Sequence, residues 1–219
     1  MTALPRTTPP WTTLLVIAKE PVPGRVKTRL TPPYLPREAA TLAEAALTDT
    51  LHTVLQVPVR RRVLVLDGAP GPWLPSGFEV VPQAEGGLDE RIAAAFAHCD
   101  DGPALLVGMD TPQLTPGLLI AAARDGADAW FGPAADGGFW ALGFADPARA
   151  GDLVRGVPMS TDRTGPIQRR RLADAGLLVR DLPTLRDVDT AADAATVAAC
   201  CPPGSRFAAT LAAYTQAAR

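Results

Sequence analysis

The chain is poor in lysine and in cysteine, and its first apolar run is short. Only two of its 219 residues are lysines, and 19 arginines carry the remaining positive charge. The three cysteines (Cys99, Cys200 and Cys201) fit neither a disulfide framework nor a C-x-x-C pair, which predicts small buried thiols in a reducing compartment. The run at residues 14–18 is too short for a signal peptide or a membrane span. We therefore expect a soluble, cytoplasmic protein without a membrane span.

A strong excess of one charge is lacking as well. The formal net charge is −2, and the sequence has no basic tail or stripe. Because binding to a nucleic acid backbone needs clustered lysine and arginine, nucleic acid is excluded as the main partner. Hydrophobic residues make up 47% of the chain, enough for a full core, and we expect one domain over residues 1–219.

Short apolar runs alternate with alanine-rich segments of helical period, which is typical of an α/β sheet. Predicted strands cover residues 13–18, 62–66, 79–81, 104–108, 129–132, 139–143 and 177–181, and predicted helices cover residues 36–56, 88–98, 115–124, 163–176 and parts of the tail. Thr115 is the expected cap of the third helix. The turn Asp136-Gly137-Gly138 indicates a hairpin, so the predicted sheet is mixed rather than wholly parallel.

Both lysines, Lys19 and Lys27, lie in one loop after the first predicted strand, together with Gly24 and further cations. Lysine is a compact charge suited to a single phosphate oxygen, and glycine lets the backbone approach a ligand closely. The loop meets neither the P-loop pattern nor the G-x-G-x-x-G dinucleotide fingerprint. It predicts a phosphate-binding loop of another kind, with a solvated loop as the alternative.

Two aspartates stand at the ends of neighbouring predicted strands. Asp110 ends the central strand, and Asp136 opens the turn after the next one. Ligands of open α/β sheets bind at such strand ends, and carboxylates there suit Mg²⁺ or Mn²⁺. The alternative for Asp110 is an Asx turn that only caps nearby amides, and the alternative for Asp136 is the Asp-Gly turn of a hairpin without a ligand role. Ser160-Thr161-Asp162 is predicted first to cap the following helix, and only second to contact substrate.

Four segments in this order, IAKEPVPGRVKTRL, VGMDTPQL, GPAADGGFWALGF and LRDVDTAADA, resemble GT-A-type glycosyltransferase-like proteins. These are the nucleotide-diphospho-sugar transferases, some of which are linked to arsenosugar biosynthesis. The same segments are similar to phospholactate guanylyltransferases and, more distantly, to molybdenum-cofactor guanylyltransferases. The resemblance implies a three-layer α/β/α sandwich that binds a nucleotide.

The resemblance also implies roles for individual residues. Asp110 and Lys27 would be catalytic, and Asp110, Asp136 and Asp189 would hold Mg²⁺ or Mn²⁺. The residues expected to contact the nucleotide or its phosphates are Ala18, Lys19, Pro23, Gly24, Arg25, Lys27, Thr28, Arg29, Gly86, Gly87 and Arg91. The chain departs from the family pattern in the segment at residues 83–91, in the late segment that contains Asp187 and Asp189, and in lacking a D-x-D motif at Asp110.

These observations favour a metal-dependent transferase that uses a nucleotide-activated donor, with an NDP-sugar as donor and an unknown small molecule as acceptor. The first alternative is nucleotidyl transfer from a nucleoside triphosphate to a phosphorylated small molecule, with release of pyrophosphate. The second alternative is a nucleotide-binding module without turnover. The first two chemistries need the same charged groups, so the sequence does not separate them.

Overall fold

A computed structural model describes residues 11–99, 102–123 and 126–217. Its strands form one seven-stranded sheet of order β3-β2-β1-β4-β6-β5-β7. The strands are β1 (Trp11–Lys19), β2 (Val59–Asp67), β3 (Glu79–Pro82), β4 (Ala104–Val107), β5 (Ala129–Pro133), β6 (Phe139–Phe144) and β7 (Val179–Asp181). Among these strands β6 alone runs antiparallel to its neighbours β4 and β5. The predicted mixed, mostly parallel sheet is confirmed.

Helices cover both faces of this sheet. They are α1 (Pro36–Leu55), α2 (Leu88–Phe96), α3 (Pro116–Ala122), α4 (Ala150–Val154), α5 (Thr164–Asp174), α6 (Ala191–Cys200) and α7 (Arg206–Ala217). Because side chains alternate along a strand, Leu14 and Val16 of β1 pack with α1 and α3 on one face, and Leu15 packs with α2, α4 and α5 on the other. The two cores make a three-layer α/β/α sandwich, as predicted.

Most predicted boundaries hold, and the exceptions are local. Thr115 caps α3 by accepting a hydrogen bond from the Leu118 amide at 3.3 Å, as expected, whereas Arg124 lies outside the described residues. The predicted cap at Ser160-Thr161-Asp162 is wrong, because Arg163 precedes α5 without a side-chain cap. The Thr161 hydroxyl accepts instead from the Arg163 amide, at 3.2 Å.

The prediction of buried thiols is also wrong. Cys200 is exposed, and Cys99 and Cys201 are only half-buried. The apolar positions nearby are filled by larger or better placed side chains, such as Phe96 beside Cys99 and Val197 in α6. Of the described helices, none combines the length and hydrophobicity needed to span a bilayer.

Candidate active site

The strand ends predicted to carry ligands border one cavity of about 580 Å³. It lies where β1 and β4 end and where β6 begins. The predicted site residues that line it are Ala18, Lys19, Arg25, Lys27, Thr28, Arg29, Gly86, Arg91, Asp110, Asp136 and Asp189. Pro23, Gly24 and Gly87 do not line it, and Gly24 instead borders a smaller cavity of about 160 Å³ on the other side of the loop. The cavity therefore gathers residues from segments far apart in sequence.

The loop at residues 19–29 is held in place by two apolar side chains. Val26 is buried against α1 and Met109, and Leu30 is buried among residues of α1, α6 and α7. The cations Arg25, Lys27 and Arg29 alternate with these anchors and line the cavity. Burial of Val26 and Leu30 thus fixes the loop while its charged side chains line the cavity.

Lys27 is the most constrained cation of the loop. Its backbone is left-handed (φ 47°, ψ 41°), a conformation that costs a non-glycine residue about 1 kcal/mol. Its ammonium donates to Asp110 Oδ2 at 2.6 Å and to Asp189 Oδ1 at 3.0 Å. Burial alone would lower the pKa of Lys27, but the two carboxylates outweigh it and raise that pKa above its ordinary value. Lys27 thus joins three distant segments of the chain.

Asp110 is placed by the backbone around it. The Val188 amide donates to the Asp110 carbonyl at 3.0 Å, which ties the end of β4 to the late loop. A Cβ at position 108 would stand 3.2 Å from Asp110 Oδ1, so glycine leaves room for the carboxylate. Among the described contacts, the carboxylate bonds to Lys27 rather than to nearby amides. The Asx-turn alternative for Asp110 is therefore not supported.

Asp136 lies in the predicted turn and faces the cavity as well. Its Oδ1 accepts from the Gly138 amide at 2.8 Å, which is the Asx turn, and its side chain also lines the cavity. The turn is pressed against α5, because the Gly165 amide donates to the Gly137 carbonyl at 2.8 Å. A Cβ at Gly165 would lie 2.5 Å from the Gly138 carbonyl oxygen. Glycine at 165 therefore sets how closely α5 approaches this turn.

Asp187 lies in the late segment, where the chain departs from the family pattern. It lines the cavity, and its Oδ1 is buried without a hydrogen-bond partner among the described residues. Burial, followed by the charges of Asp110 and Asp136, raises the pKa of Asp187 to about 8. The late loop reaches this position because the Ala135 amide donates to the Leu185 carbonyl at 2.8 Å. We name the four carboxylates Asp110, Asp136, Asp187 and Asp189 the acidic corner.

Arg91 lies at the opposite end, in a group of polar residues that satisfy one another. Its guanidinium donates to Asp67 Oδ2 at 3.0 Å, to Gln83 Oε1 at 3.2 Å and to the Gly86 carbonyl at 3.0 Å. Gln83 in turn donates to the Ala18 carbonyl at 2.7 Å. We name Asp67, Gln83, Gly86 and Arg91 the Arg91 network. It builds this wall of the cavity from internal contacts.

The wall beside the acidic corner has no lysine or arginine among its described lining residues. It consists of Phe139, Trp140, Met159, Ser160, Thr161 and Thr164. Ser160 has a left-handed backbone (φ 58°), an uncommon conformation that clusters at ligand sites. Trp140 is itself almost fully buried and belongs to the same core as Trp130, whose ring lies 4.7 Å from that of Trp11. No sequence pattern predicted that Phe139 and Met159 line the cavity, because this depends on how α5 and the segment before it pack against the Asp136 turn.

No three carboxylate, histidine or cysteine side chains of the described residues are grouped closely enough to hold a metal ion by themselves. A magnesium ion usually takes one or two carboxylates and completes its shell with water and substrate phosphates. Asp110 and Asp189 already share one cation, Lys27, and the unpartnered oxygen of Asp187 belongs to the same acidic corner. The oxygen donors present fit such an ion when phosphate supplies the remaining ligands.

Solved structures share this fold. A candidate nucleotide-diphospho-sugar transferase from Desulfovibrio desulfuricans G20 matches with a TM-score of 0.81 and 25% identity, over 93% of this chain and 94% of the other. Rv0371c from Mycobacterium tuberculosis H37Rv matches with a TM-score of 0.55 and 21% identity, over 85% and 97%. An inositol-1-phosphate CTP transferase from T. maritima matches with a TM-score of 0.53 and 14% identity, over 84% and 91%.

No curated protein matches the chain in sequence. A family model does, over residues 41–161, a segment that runs from α1 through the Asp110 and Asp136 strand ends to Thr161. That segment is more than half of the chain. The protein belongs to the family described as an uncharacterized protein conserved in bacteria, DUF2064.

Proposed function

We propose that the protein is a metal-dependent transferase that takes a sugar from a nucleoside diphosphate sugar and passes it to a hydroxyl group of a small acceptor. The observation that carries this proposal is the arrangement of charge in the cavity. A loop with four cations (Lys19, Arg25, Lys27 and Arg29) and the acidic corner line the same space. A diphosphate with a divalent cation complements both groups at once.

Each group of residues has a part in that reaction. Lys19, Arg25 and Arg29 bind the diphosphate oxygens. Asp110 and Asp189 would hold Mg²⁺ or Mn²⁺. When bound, such an ion offsets the negative charge that develops on the leaving diphosphate. The bond from the sugar C1 to the diphosphate oxygen breaks, the acceptor oxygen bonds to C1, and the proton of the acceptor hydroxyl passes to the leaving diphosphate or to water.

The wall beside the acidic corner supports an uncharged acceptor. Its described lining side chains are aromatic, thioether or hydroxyl groups, including Phe139, Met159 and Thr161. The carboxylates next to it would repel a phosphorylated acceptor, and Arg91 at the far end is already paired with Asp67. Sugar transfer to a neutral hydroxyl compound therefore fits the described charges better than nucleotidyl transfer to a phosphorylated one. The similarity to the Desulfovibrio protein supports the same choice.

A panel of nucleotide sugars tests the proposal. Each donor is incubated with the protein and Mn²⁺, and the released nucleoside diphosphate is separated and quantified. We expect release from at least one donor, faster with a hydroxyl acceptor and abolished by chelator. Inactivity towards every donor, with consumption of nucleoside triphosphates instead, would contradict sugar transfer.

Nucleotidyl transfer is the second candidate, and the density of cations in the loop favours it. Four positive side chains within eleven residues suit a triphosphate as well as a diphosphate. Pyrophosphate release from a nucleoside triphosphate that requires a sugar phosphate or another phosphorylated acid would establish this reaction. The two assays share protein and metal, so they can be run side by side.

A further inference from the structure

The two lysines of the chain are used in opposite ways, although both line the same cavity. Lys27 places its ammonium between two carboxylates, at 2.6 Å from Asp110 and 3.0 Å from Asp189. Its side chain is only 11% exposed. The Lys19 side chain is exposed, and none of the ion pairs among the described residues includes it. Of the two lysines, only Lys27 therefore contacts the carboxylates that a metal ion would need. Asp189 also receives a longer contact from Arg29, whose Nη1 lies 3.5 Å from Asp189 Oδ2.

The position of the Lys27 ammonium is imposed by the fold. The left-handed backbone at residue 27 directs the side chain, and the buried neighbours Val26 and Leu30 hold the loop on either side. Such a conformation persists only where its surroundings over-determine it. The late loop is held independently, since the Val188 amide donates to the Asp110 carbonyl at 3.0 Å. The Lys27–Asp110–Asp189 contact is thus a built element rather than a chance surface pair.

A divalent cation at Asp110 and Asp189 would need the same two carboxylates that Lys27 now contacts. Two like charges cannot share this space, because unit charges about 4 Å apart repel each other by roughly 4 kcal/mol even at the effective dielectric of a protein surface. The lysine stem is long and flexible, so its ammonium can leave the carboxylates if another anion receives it. The phosphates of a bound donor are such an anion.

We propose that Lys27 is an internal counter-ion that occupies Asp110 and Asp189 in the nucleotide-free protein and competes with divalent metal for them. This inference rests on the proposed function for its second half, in which the donor's phosphate takes the ammonium and frees the carboxylates. Metal and nucleotide then bind with positive coupling. The counter-ion also keeps the acidic corner from binding metal before a donor is present.

Binding of Mn²⁺ alone, followed by electron paramagnetic resonance, tests the first half. Lys27→Met removes the charge and keeps a side chain of similar length. We expect this variant to bind Mn²⁺ at least about tenfold more tightly than wild type without nucleotide, because a competing charge is gone. Lys19→Met is the matched control, the same change in the same loop, and should leave this affinity unchanged. Equal affinities in wild type and Lys27→Met would overturn the inference.

A second measurement needs no variant and covers the case in which Lys27→Met does not fold. Since the chain has only two lysines, the ¹⁵N-detected ammonium signals of the wild-type protein are two, and Lys19→Arg assigns them. We expect the Lys27 signal to be protected from exchange in the free protein. It should shift when Mg²⁺ and a nucleoside diphosphate are added together.

The outcomes separate this inference from the proposed function. If no nucleoside diphosphate binds under any condition, the proposed function fails, whereas tighter Mn²⁺ binding by Lys27→Met still upholds the counter-ion. If nucleotide and Mg²⁺ both bind and the Lys27 signal does not move, the transfer of the ammonium is wrong while the proposed function stands. An unprotected, freely exchanging Lys27 signal in the nucleotide-free protein would contradict the counter-ion directly.

Discussion

At one end of the cavity Arg91, Gln83 and Asp67 satisfy one another. At the other end Lys27 bridges two of the four carboxylates, Asp110 and Asp189, and Arg29 also lies 3.5 Å from Asp189. The Arg91 network uses its hydrogen-bonding groups to build a wall. The acidic corner keeps an unpartnered buried oxygen on Asp187 and like charges close together. Buried polar groups are normally paired, so an unpaired one in a cleft indicates a ligand. We propose that this difference separates a structural end from a functional end.

The largest effect on activity is expected for Asp110→Asn. The amide keeps the shape of the side chain but loses the charge that pairs with Lys27 and would hold the metal. We expect kcat/KM for donor cleavage to fall about 100-fold or more, the usual cost of removing a group that stabilises transition-state charge. Asp146→Asn, in a turn far from the cavity, is the control and should retain activity. Equal activities in both variants would place the chemistry elsewhere.

Gly165→Ala tests whether α5 positions the acidic corner. The added Cβ would stand 2.5 Å from the Gly138 carbonyl oxygen, so helix and turn must separate. We expect the free energy of unfolding to fall by about 2 kcal/mol, as in other overpacked sites, and activity to fall with it. Gly117→Ala in α3 is the matched control, because its Cβ meets only Thr115 Oγ1, at 4.0 Å. Urea denaturation compares the two, and equal stability would refute the close contact.

Arg91→Ala examines the opposite end. It removes the partner of Asp67 and of Gln83 and frees the Gly86 carbonyl. We expect a loss of about 1–2 kcal/mol in unfolding free energy, since partly buried groups lose their hydrogen bonds. The activity of the remaining folded protein should change less than in Asp110→Asn. If Arg91→Ala is as stable as wild type yet inactive, Arg91 binds substrate, and this end of the cavity is functional rather than structural.

Asp187→Asn should change stability in the opposite direction from the other variants. Since the pKa of Asp187 is raised from 3.8 to about 8 in the folded protein, that state binds the extra proton and loses stability as pH rises between these values. The amide cannot ionise. In chelator-treated buffer the stability of the variant relative to wild type should therefore rise as the pH increases from about 4 towards about 8, and level off above it. Chemical denaturation at several pH values measures this; a constant difference would contradict it.

Much of the cavity was predictable from the sequence, because ligands of open α/β sheets bind beyond the carboxyl ends of the strands. The loop at residues 19–29, Asp110 and Asp136 meet there because parallel strands deliver their carboxyl ends to one edge. The mixed sheet followed from the Asp-Gly-Gly turn between β5 and β6. These features depend on local pattern and on the general rules of α/β sheets.

Pairings between distant segments were not predictable in the same way. The expected binding of Lys27 to phosphate stays a prediction, but its contacts with Asp110 and Asp189, which lie 83 and 162 residues away, had no local signal. The expected contact of Arg91 with a nucleotide also stays a prediction, and its pairing with Asp67 had no local signal either. The burial of Asp187 depends on the pairing of Ala135 with Leu185, which no local pattern shows. Those contacts come from tertiary packing.

Thermal melting of wild type and Asp110→Asn with nucleoside diphosphates, in Mn²⁺ or in chelator, tests the central claim most directly. A ligand that binds the folded state raises the melting temperature by mass action. The account predicts that at least one nucleoside diphosphate stabilises wild type in Mn²⁺, much less in chelator, and not at all in Asp110→Asn. Equal stabilisation with and without metal, retained in Asp110→Asn, would contradict a metal–diphosphate site at the acidic corner.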